Sequence, residues 1–259
     1  MAGVAMLGET ISFIRRNLSF VCFFVAISCA IVIFAEYSDR SGGGSTQYFV
    51  VLYFGYCVQN TILNGAGGVL QINRGMVGFG SYLWKNLLIL LVVMGIGIGV
   101  PLAFGAASFS TGVFLLLCGG LLAIIYPLLL ALVGTWPTAG IAGSTSGLAD
   151  AFARGRHGFV PTFLRLFAGI VFPAVTSFLL IVMAASMSYE ADAVFQGGKL
   201  NLIALGLLIV SKCLETLGIC YASIVLARKF QISEAARPST GGGFQGTISA
   251  TSDISKIFQ

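Results

Sequence analysis

Residues 200–229 read LNLIALGLLIVSKCLETLGICYASIVLARK. Lys212 and Glu215 are the only charged side chains in this run before Arg228 and Lys229 close it. A helix needs about 20 apolar residues to cross about 30 Å of hydrocarbon, so the run is long enough to span a bilayer. The pattern predicts a transmembrane helix over residues 200–227 that stops at its basic end.

The whole chain of 259 residues has the same character. Hydrophobic residues make up 57% and charged residues 9%, and the mean hydropathy is +0.97. An ordinary soluble domain is about 25% charged. The composition therefore excludes a soluble globular protein, a disordered chain and a disulfide-rich secreted module. It predicts an all-α polytopic membrane protein whose first partner is the lipid bilayer.

Five further apolar runs predict five more spans. The six helices would form a transmembrane domain over residues 1–230, followed by a flexible Gly/Ser/Thr-rich cytoplasmic tail over residues 231–259. The five runs cover residues 18–35, 48–72, 86–104, 112–133 and 163–187.

Lys and Arg are unevenly shared between the two sides of this six-helix plan. The side opposite the two chain ends has two basic residues, Arg40 and Lys199, and four carboxylates, those of Glu36, Asp39, Glu190 and Asp192. Because Lys and Arg in short loops face the cytoplasm, both termini should be cytoplasmic. The basic side holds Arg15, Arg16, Arg74, Lys85, Arg154, Arg156, Arg165, Arg228, Lys229, Arg237 and Lys256.

The connection between the fourth and fifth spans, residues 134–161, is polar. Thr135 followed by Pro137 is typical of a helix start. Ile141, Leu148 and Phe152 then recur at roughly helical spacing. This predicts a short amphipathic helix on the cytoplasmic face, with a plain loop as the alternative.

Three spans open alike. Residues 12–18 read SFIRRNL, residues 81–87 read SYLWKNL, and residues 162–166 read TFLRL, a weaker match without the Asn. The spacing of about one helical hairpin favours three related hairpins. The alternative is convergence, since any helix that starts at the cytoplasmic interface favours an aromatic residue and a cation there.

The six-span layout and a few short motifs resemble the YciC-like group of bacterial six-span inner-membrane proteins. The resemblance implies the inner (plasma) membrane of a bacterium, and it supplies no reaction and no catalytic residue. The motifs are FIRRN at residues 13–17, Pro127 inside the fourth span, and Pro137 leading through small residues to Leu148, Ala149 and Phe152.

Lys212 and Glu215 are the strongest candidates for a functional site. They are three residues apart and share a helix face near the middle of the sixth span. An ionisable group at that depth costs at least about 2.5–3.5 kcal/mol on insertion scales, so it persists when it is paired or faces a polar interior. The pair is a candidate for proton or ion transport, for docking of a partner subunit, or for fixing the helix in the bundle.

The second span carries three amides, those of Gln59, Asn60 and Asn64. Such amides usually form hydrogen bonds between helices. They can also line a polar path together with Lys212 and Glu215. Glycines that follow Asn64 would weaken or break the helix there.

Small residues in two spans predict close helix packing. Gly95 and Gly99 form GxxxG in the third span, and Gly119 and Ala123 form a similar pair in the fourth. The absence of a bulky side chain lets helices approach closely, inside one chain or between copies.

No motif indicates catalysis, a metal or a cofactor. There is no HExxH and no P-loop, and the six cysteines form no CxxC and lie in apolar runs. We therefore expect no enzyme and no nucleic-acid binding. The first functional hypothesis is a non-enzymatic accessory or assembly subunit that packs against other integral membrane subunits or forms a homo-oligomer. The alternative is a small-solute or ion transporter that uses Lys212, Glu215 and the second-span amides.

Overall fold

The computed structural model describes residues 2–38, 43–65, 68–69, 76–105, 109–186, 194–196 and 199–236. Predictions that concern Arg40, Arg74, Glu190, Asp192 or the tail from residue 237 lie outside these ranges. The elements are α1 (Ala2–Arg16), α2 (Leu18–Tyr37), α3 (Gly43–Leu63), α4 (Phe79–Ala103), α5 (Thr111–Val133), α6 (Thr135–Ile141), α7 (Leu148–Arg156), α8 (Phe159–Ser186), β1 (Phe195–Gln196), β2 (Lys199–Leu200) and α9 (Leu202–Ala235).

Five helices in the described ranges are long and apolar enough to cross a membrane, namely α2, α4, α5, α8 and α9. Their mean hydropathies lie between 2.0 and 2.8. The chain is therefore an all-α, multi-pass membrane protein. α3 overlaps the predicted second span but is less apolar and is not among the five.

The predicted second span is too long at its C-terminal end. It was expected to reach residue 72, whereas α3 ends at Leu63. Gly65 follows with φ +63°, a left-handed conformation that ends helices and that glycine adopts without a steric penalty. The predicted helix break after Asn64 is confirmed.

α9 is the longest helix and continues to Ala235, beyond the expected stop at Arg228 and Lys229. It contacts α1, α2, α3, α6 and α8, and its contact with α8 is the most extensive between any two elements. The predicted domain boundary at residue 230 therefore falls inside a helix.

α1 was not predicted as a helix. It precedes α2, and the two are separated by a bend at Asn17. The Asn17 side chain holds this bend, because its Nδ2 donates to the carbonyl of Phe13 (2.9 Å) and its Oδ1 accepts from the amide of Val69 (2.8 Å). Asn86, the matching residue of the SYLWKNL motif, donates in the same way to the carbonyl of Tyr82.

The connection after α5 forms two short helices rather than one amphipathic helix. α6 is almost wholly buried, including Ile141, and Gly143 ends it with φ +69°. On α7, Leu148 and Phe152 are about half exposed. A short helix that carries Leu148 and Phe152 is therefore confirmed as α7, whereas Ile141 lies on α6, before the Gly143 turn.

The helix ends define what we call the basic end of the bundle, where α3, α5, α7 and α9 finish and α2, α4 and α8 begin. α1 and α6 lie at the same end, since α1 contacts α9 through Glu9 and Arg228, and α6 follows α5 directly. Apart from Lys199 and Lys212, every Lys and Arg of the described residues belongs to this end. The predicted charge asymmetry is thus reproduced along the bundle axis.

Packing is denser at the basic end than at the opposite end. All buried residues of α9 except Ala204 lie from Thr216 onward. α2 has no buried residue after Cys29, and α8 has none after Pro173. The interior is filled by aromatic and branched side chains such as Phe54, whose ring lies 4.0 Å from that of Phe24. The helices therefore share a core over about half their length.

The predicted small-residue motifs do not make the intrachain contacts. Gly95, Gly99 and Gly119 are exposed with open space around them, and Ala123 is half-buried. The interpretation of these motifs as packing inside one chain is wrong. A sequence motif shows that a helix can be approached closely but not which face it turns inward.

Other glycines make the close contacts. Gly97 on α4 faces Leu122 on α5, and Gly169 on α8 faces Tyr221 on α9. Gly218 on α9 lies against the carbonyl of Gly169, so a Cβ there would sit 2.6 Å from that oxygen.

We expect Gly218→Ala to destabilise the fold by about 1–3 kcal/mol, because the added methyl meets backbone that cannot move aside. The matched control is Gly99→Ala, another helical glycine, whose methyl would enter open space. Thermal unfolding of the purified protein in detergent measures both. Equal melting temperatures for the two variants would contradict the α8–α9 contact described here.

Candidate functional site

The Lys212 and Glu215 side chains form an ion pair. Lys212 Nζ lies 2.7 Å from Glu215 Oε2, across one helical turn of α9. The Lys212 side chain is 14% exposed and that of Glu215 is 39% exposed. Lys212 lies about 15 Å from the start of α9, about half the length of helix that crosses a hydrocarbon layer. The charges neutralise each other, while the carboxylate stays open on one side.

Polar groups of α2 lie beside this pair. Cys29 is within electrostatic reach of both Lys212 and Glu215. The neighbouring Ser28 is 1% exposed, and its hydroxyl has no hydrogen-bond partner in the described part of the chain. Thr216 completes the group by donating to the carbonyl of Lys212 (2.6 Å).

The second-span amides occupy the other end of the molecule. Gln59 is buried and accepts a hydrogen bond from Thr138 of α6 (2.8 Å), so it joins two helices as such amides commonly do. Asn64 donates to the side chain and to the carbonyl of Asn60, one turn away on the same helix.

The structure does not bring these amides to the ion pair. α3 and α9 run parallel, with Gly55 facing Ser223 and Ile62 facing Gln231. Asn60 therefore lies level with a part of α9 that is roughly 25 Å from Lys212 along the helix. A continuous polar path between them is not formed.

A second polar cluster, which sequence reasoning missed, lies at the end of α9. Lys229 is 5% exposed, and its ammonium donates to the carbonyls of Ala131 (3.3 Å) and Gly155 (3.2 Å). These carbonyls lie in the last turns of α5 and α7, where the helix has no internal donors left and the dipole attracts a cation. Lys229 thus joins three helices at one point.

Arg154 of α7 occupies the same cluster. Its Nη1 donates to Glu234 Oε1 (3.2 Å) and its Nε to Thr135 Oγ1 (3.3 Å). The guanidinium also lies 5.3 Å from the ring centre of Phe230. The side chain is 5% exposed, so this arginine of the basic side lies in the interior of the molecule.

The third part of this cluster joins α9 to α1 and α3. Arg228 donates to the Glu9 carboxylate and to Gln231 Oε1. Gln231 Nε2 then donates to the carbonyl of Ile62, in the last turn of α3 (3.1 Å). We refer to Arg228, Lys229, Gln231 and Glu234 with these partners as the α9 cluster.

One signal in the sequence could have revealed the α9 cluster. Two acceptors, Gln231 and Glu234, follow Arg228 and Lys229 at helical spacing. If the helix ended at Lys229, Gln231 and Glu234 would not be held on the same helix as the two cations. A helix that continues to residue 235 turns all four side chains toward the neighbouring helix ends.

No chemistry of metals or thiols is indicated. The residues that the structure describes contain no group of three or more His, Cys, Asp or Glu able to hold a metal ion. All six cysteines are free, with Cys22 and Cys213 exposed and the others buried. His157 is exposed at the end of α7.

Comparisons of the chain with protein-family models, with curated proteins and with solved structures found no match. The resemblance to the YciC-like group stays a prediction. The roles assigned to residues below therefore rest on geometry and charge.

We expect Lys229→Met to destabilise the fold by about 1–3 kcal/mol, because it leaves two buried carbonyls without their donor while keeping a side chain of similar length. The matched control is Arg156→Met, which removes an exposed cation of the same end. Unfolding in detergent measures both variants. A Lys229→Met protein as stable as the control would show that the α9 cluster does not hold the helix ends together.

Proposed function

We propose that the chain is a six-span inner-membrane protein with both termini in the cytoplasm, and that it acts as a non-enzymatic accessory or assembly subunit of other membrane proteins. The observation that carries this proposal is the Lys212–Glu215 pair, which lies at mid-membrane depth with its carboxylate 39% exposed. A partner's transmembrane helix would cover that opening.

The chain crosses the membrane six times, rather than five, if α3 also spans it. α3 has 21 residues, about 30 Å of helix, and lies alongside α2, with Phe54 stacked on Phe20 and Phe24. Residues 54–61 are all buried. A helix enclosed by protein does not need the apolar surface of one that faces lipid, which accounts for its lower hydropathy.

The energetics favour docking at the ion pair. A charged pair that faces hydrocarbon keeps part of its desolvation penalty, whereas hydrogen-bond donors on a neighbouring helix reduce that penalty. The surface beside the pair is apolar and open in the described residues, with Ile209, Val210 and Cys213 exposed. A helix that packs there would bury apolar area on the Lys212 side of the pair.

The outward glycines supply a further contact surface for the same role. Gly95 and Gly99 share one face of α4 and are exposed, as is Gly119 on α5. Because these positions lack a Cβ, a helix of another subunit or of a second copy can approach the backbone closely.

Transport is the second candidate. It is favoured by the buried hydroxyl of Ser28, which has no partner in the described ranges and precedes Cys29, the residue within electrostatic reach of the ion pair. It is disfavoured by the distance of roughly 25 Å between Lys212 and Asn60, and by the packed side chains of Val58 and Ile224 between α3 and α9. The accessory role requires neither a path nor a cavity.

The six-span topology predicts that both chain ends lie on the same face of the membrane. Reporter fusions after residues 1 and 259, or labelling of single cysteines placed there in a cysteine-free background, check this. Equal protection of both ends in right-side-out vesicles is expected. Protection of only one end would show that α3 does not cross.

The docking proposal predicts that a partner contacts the N-terminal half of α9, where Lys212 and Glu215 lie. A photo-crosslinking residue at Val210, which is 45% exposed, should give a discrete adduct in intact cells. The double variant Lys212→Leu/Glu215→Leu should abolish the adduct while the protein still inserts, since both charges leave together. The mass of the adduct distinguishes a second copy of this chain from another subunit.

The matched control is the same crosslinker at Leu116 of α5, which is 76% exposed and away from the ion pair. Adducts of equal yield at both positions would indicate random collisions and contradict the proposal. Solute flux in vesicles containing the purified protein, lost in the double variant without any adduct in cells, would instead support transport.

A further inference from the structure

We propose that α1 holds one anionic phospholipid, with its phosphate between Arg15 and Arg16 and its apolar part against Ile11. This inference goes beyond the accessory role and does not depend on it. It requires only that α2 crosses the membrane, because α1 then lies at the headgroup layer.

The observation that carries the proposal is a shallow, open groove on the surface of α1, formed by one face of that helix. It has a volume of about 470 Å³ and is lined by Gly8, Ile11, Ser12, Arg15 and Arg16. Both arginines are exposed, and neither takes part in an ion pair within the described residues. The groove thus combines two available guanidinium groups with a hydroxyl and an apolar wall.

The fold holds this groove at the membrane surface. Asn17 bends the chain between α1 and α2, and Glu9 binds Arg228 at the end of α9. The inner face of α1 carries Met6 and Phe13, both buried in the core. The outer face is therefore fixed in orientation, and it ends at Arg16, one residue short of α2.

The chemistry of the groove fits a phospholipid. Guanidinium groups bind phosphate oxygens through paired, charge-assisted hydrogen bonds. Leu7 and Ile11 are 46% and 48% exposed and lie on the same face as Arg15. Gly8 has open space where a Cβ would be. A free anion would contact the arginines alone, whereas a phospholipid would also contact the apolar side chains.

α7 provides an internal comparison. Leu148, Phe152 and Arg156 are exposed at the same spacing as Leu7, Ile11 and Arg15. Arg154, the other arginine of α7, is buried and paired with Glu234, so this helix presents a single exposed arginine. We expect α7 to contact the headgroup layer without retaining a particular lipid.

The experiment measures lipid binding to the purified full-length protein in detergent. Phosphatidylglycerol is titrated in, with phosphatidylcholine as the neutral comparison, and bound lipids are counted by native mass spectrometry. We expect one retained phosphatidylglycerol, bound about tenfold or more weakly after Arg15→Gln/Arg16→Gln. Arg15→Gln alone should weaken binding more than the matched control Arg156→Gln. Because both positions are exposed, the variants should keep the thermal stability of the parent protein.

Three outcomes would overturn the proposal. Equal losses for Arg15→Gln and Arg156→Gln would show a general effect of surface charge. Displacement of the lipid by inorganic phosphate, with no effect of Ile11→Ser, would show a site for a free anion. A parent protein that retains phosphatidylglycerol no better than phosphatidylcholine would show that the groove is no lipid site.

Discussion

The hydrogen bonds from Lys229 to the carbonyls of Ala131 and Gly155 are the constraint on which the bundle depends. Helix ends leave their last carbonyls without internal donors, and a membrane protein has little water near them. α9 supplies donors to several neighbours at once. Gln231 donates to a carbonyl in the last turn of α3, as Lys229 donates to carbonyls in the last turns of α5 and α7. The position of α9 therefore sets where the other helices end.

This arrangement explains why the two halves of the bundle differ. At the basic end, charged hydrogen bonds and the aromatic core around Phe54 hold the helices together. Toward the opposite end, α2, α8 and α9 lose buried residues, and α2 is joined to β1 by the hydrogen bond from the Phe195 amide to Glu36 Oε1 (3.0 Å). The Lys212–Glu215 pair lies where the packing changes. Its carboxylate is 39% exposed for that reason.

Hydropathy predicted the lipid-facing helices well, because exposure to hydrocarbon imposes apolar side chains on every turn. The i, i+3 pairing of Lys212 and Glu215 was also predicted correctly, since helix geometry alone determines it. Hydropathy could not orient Gly95 and Gly99, because a span surrounded by lipid on most sides carries no inward-facing polar pattern. It also missed the burial of Lys229, whose partners are backbone carbonyls without a signature in the sequence, and that of Arg154, whose partners Thr135 and Glu234 are distant along the chain.

A fold held at one end is suited to a docking role. A partner helix that packs against Ile209 and Val210 would meet a part of α9 that has few internal contacts, so it need not displace any. A transporter would instead need two alternative arrangements of helices around its polar site. Here the helices that flank the ion pair, α2 and α9, are both anchored by the α9 cluster and the Asn17 bend. Rearrangement would cost those buried hydrogen bonds, whereas docking leaves them in place.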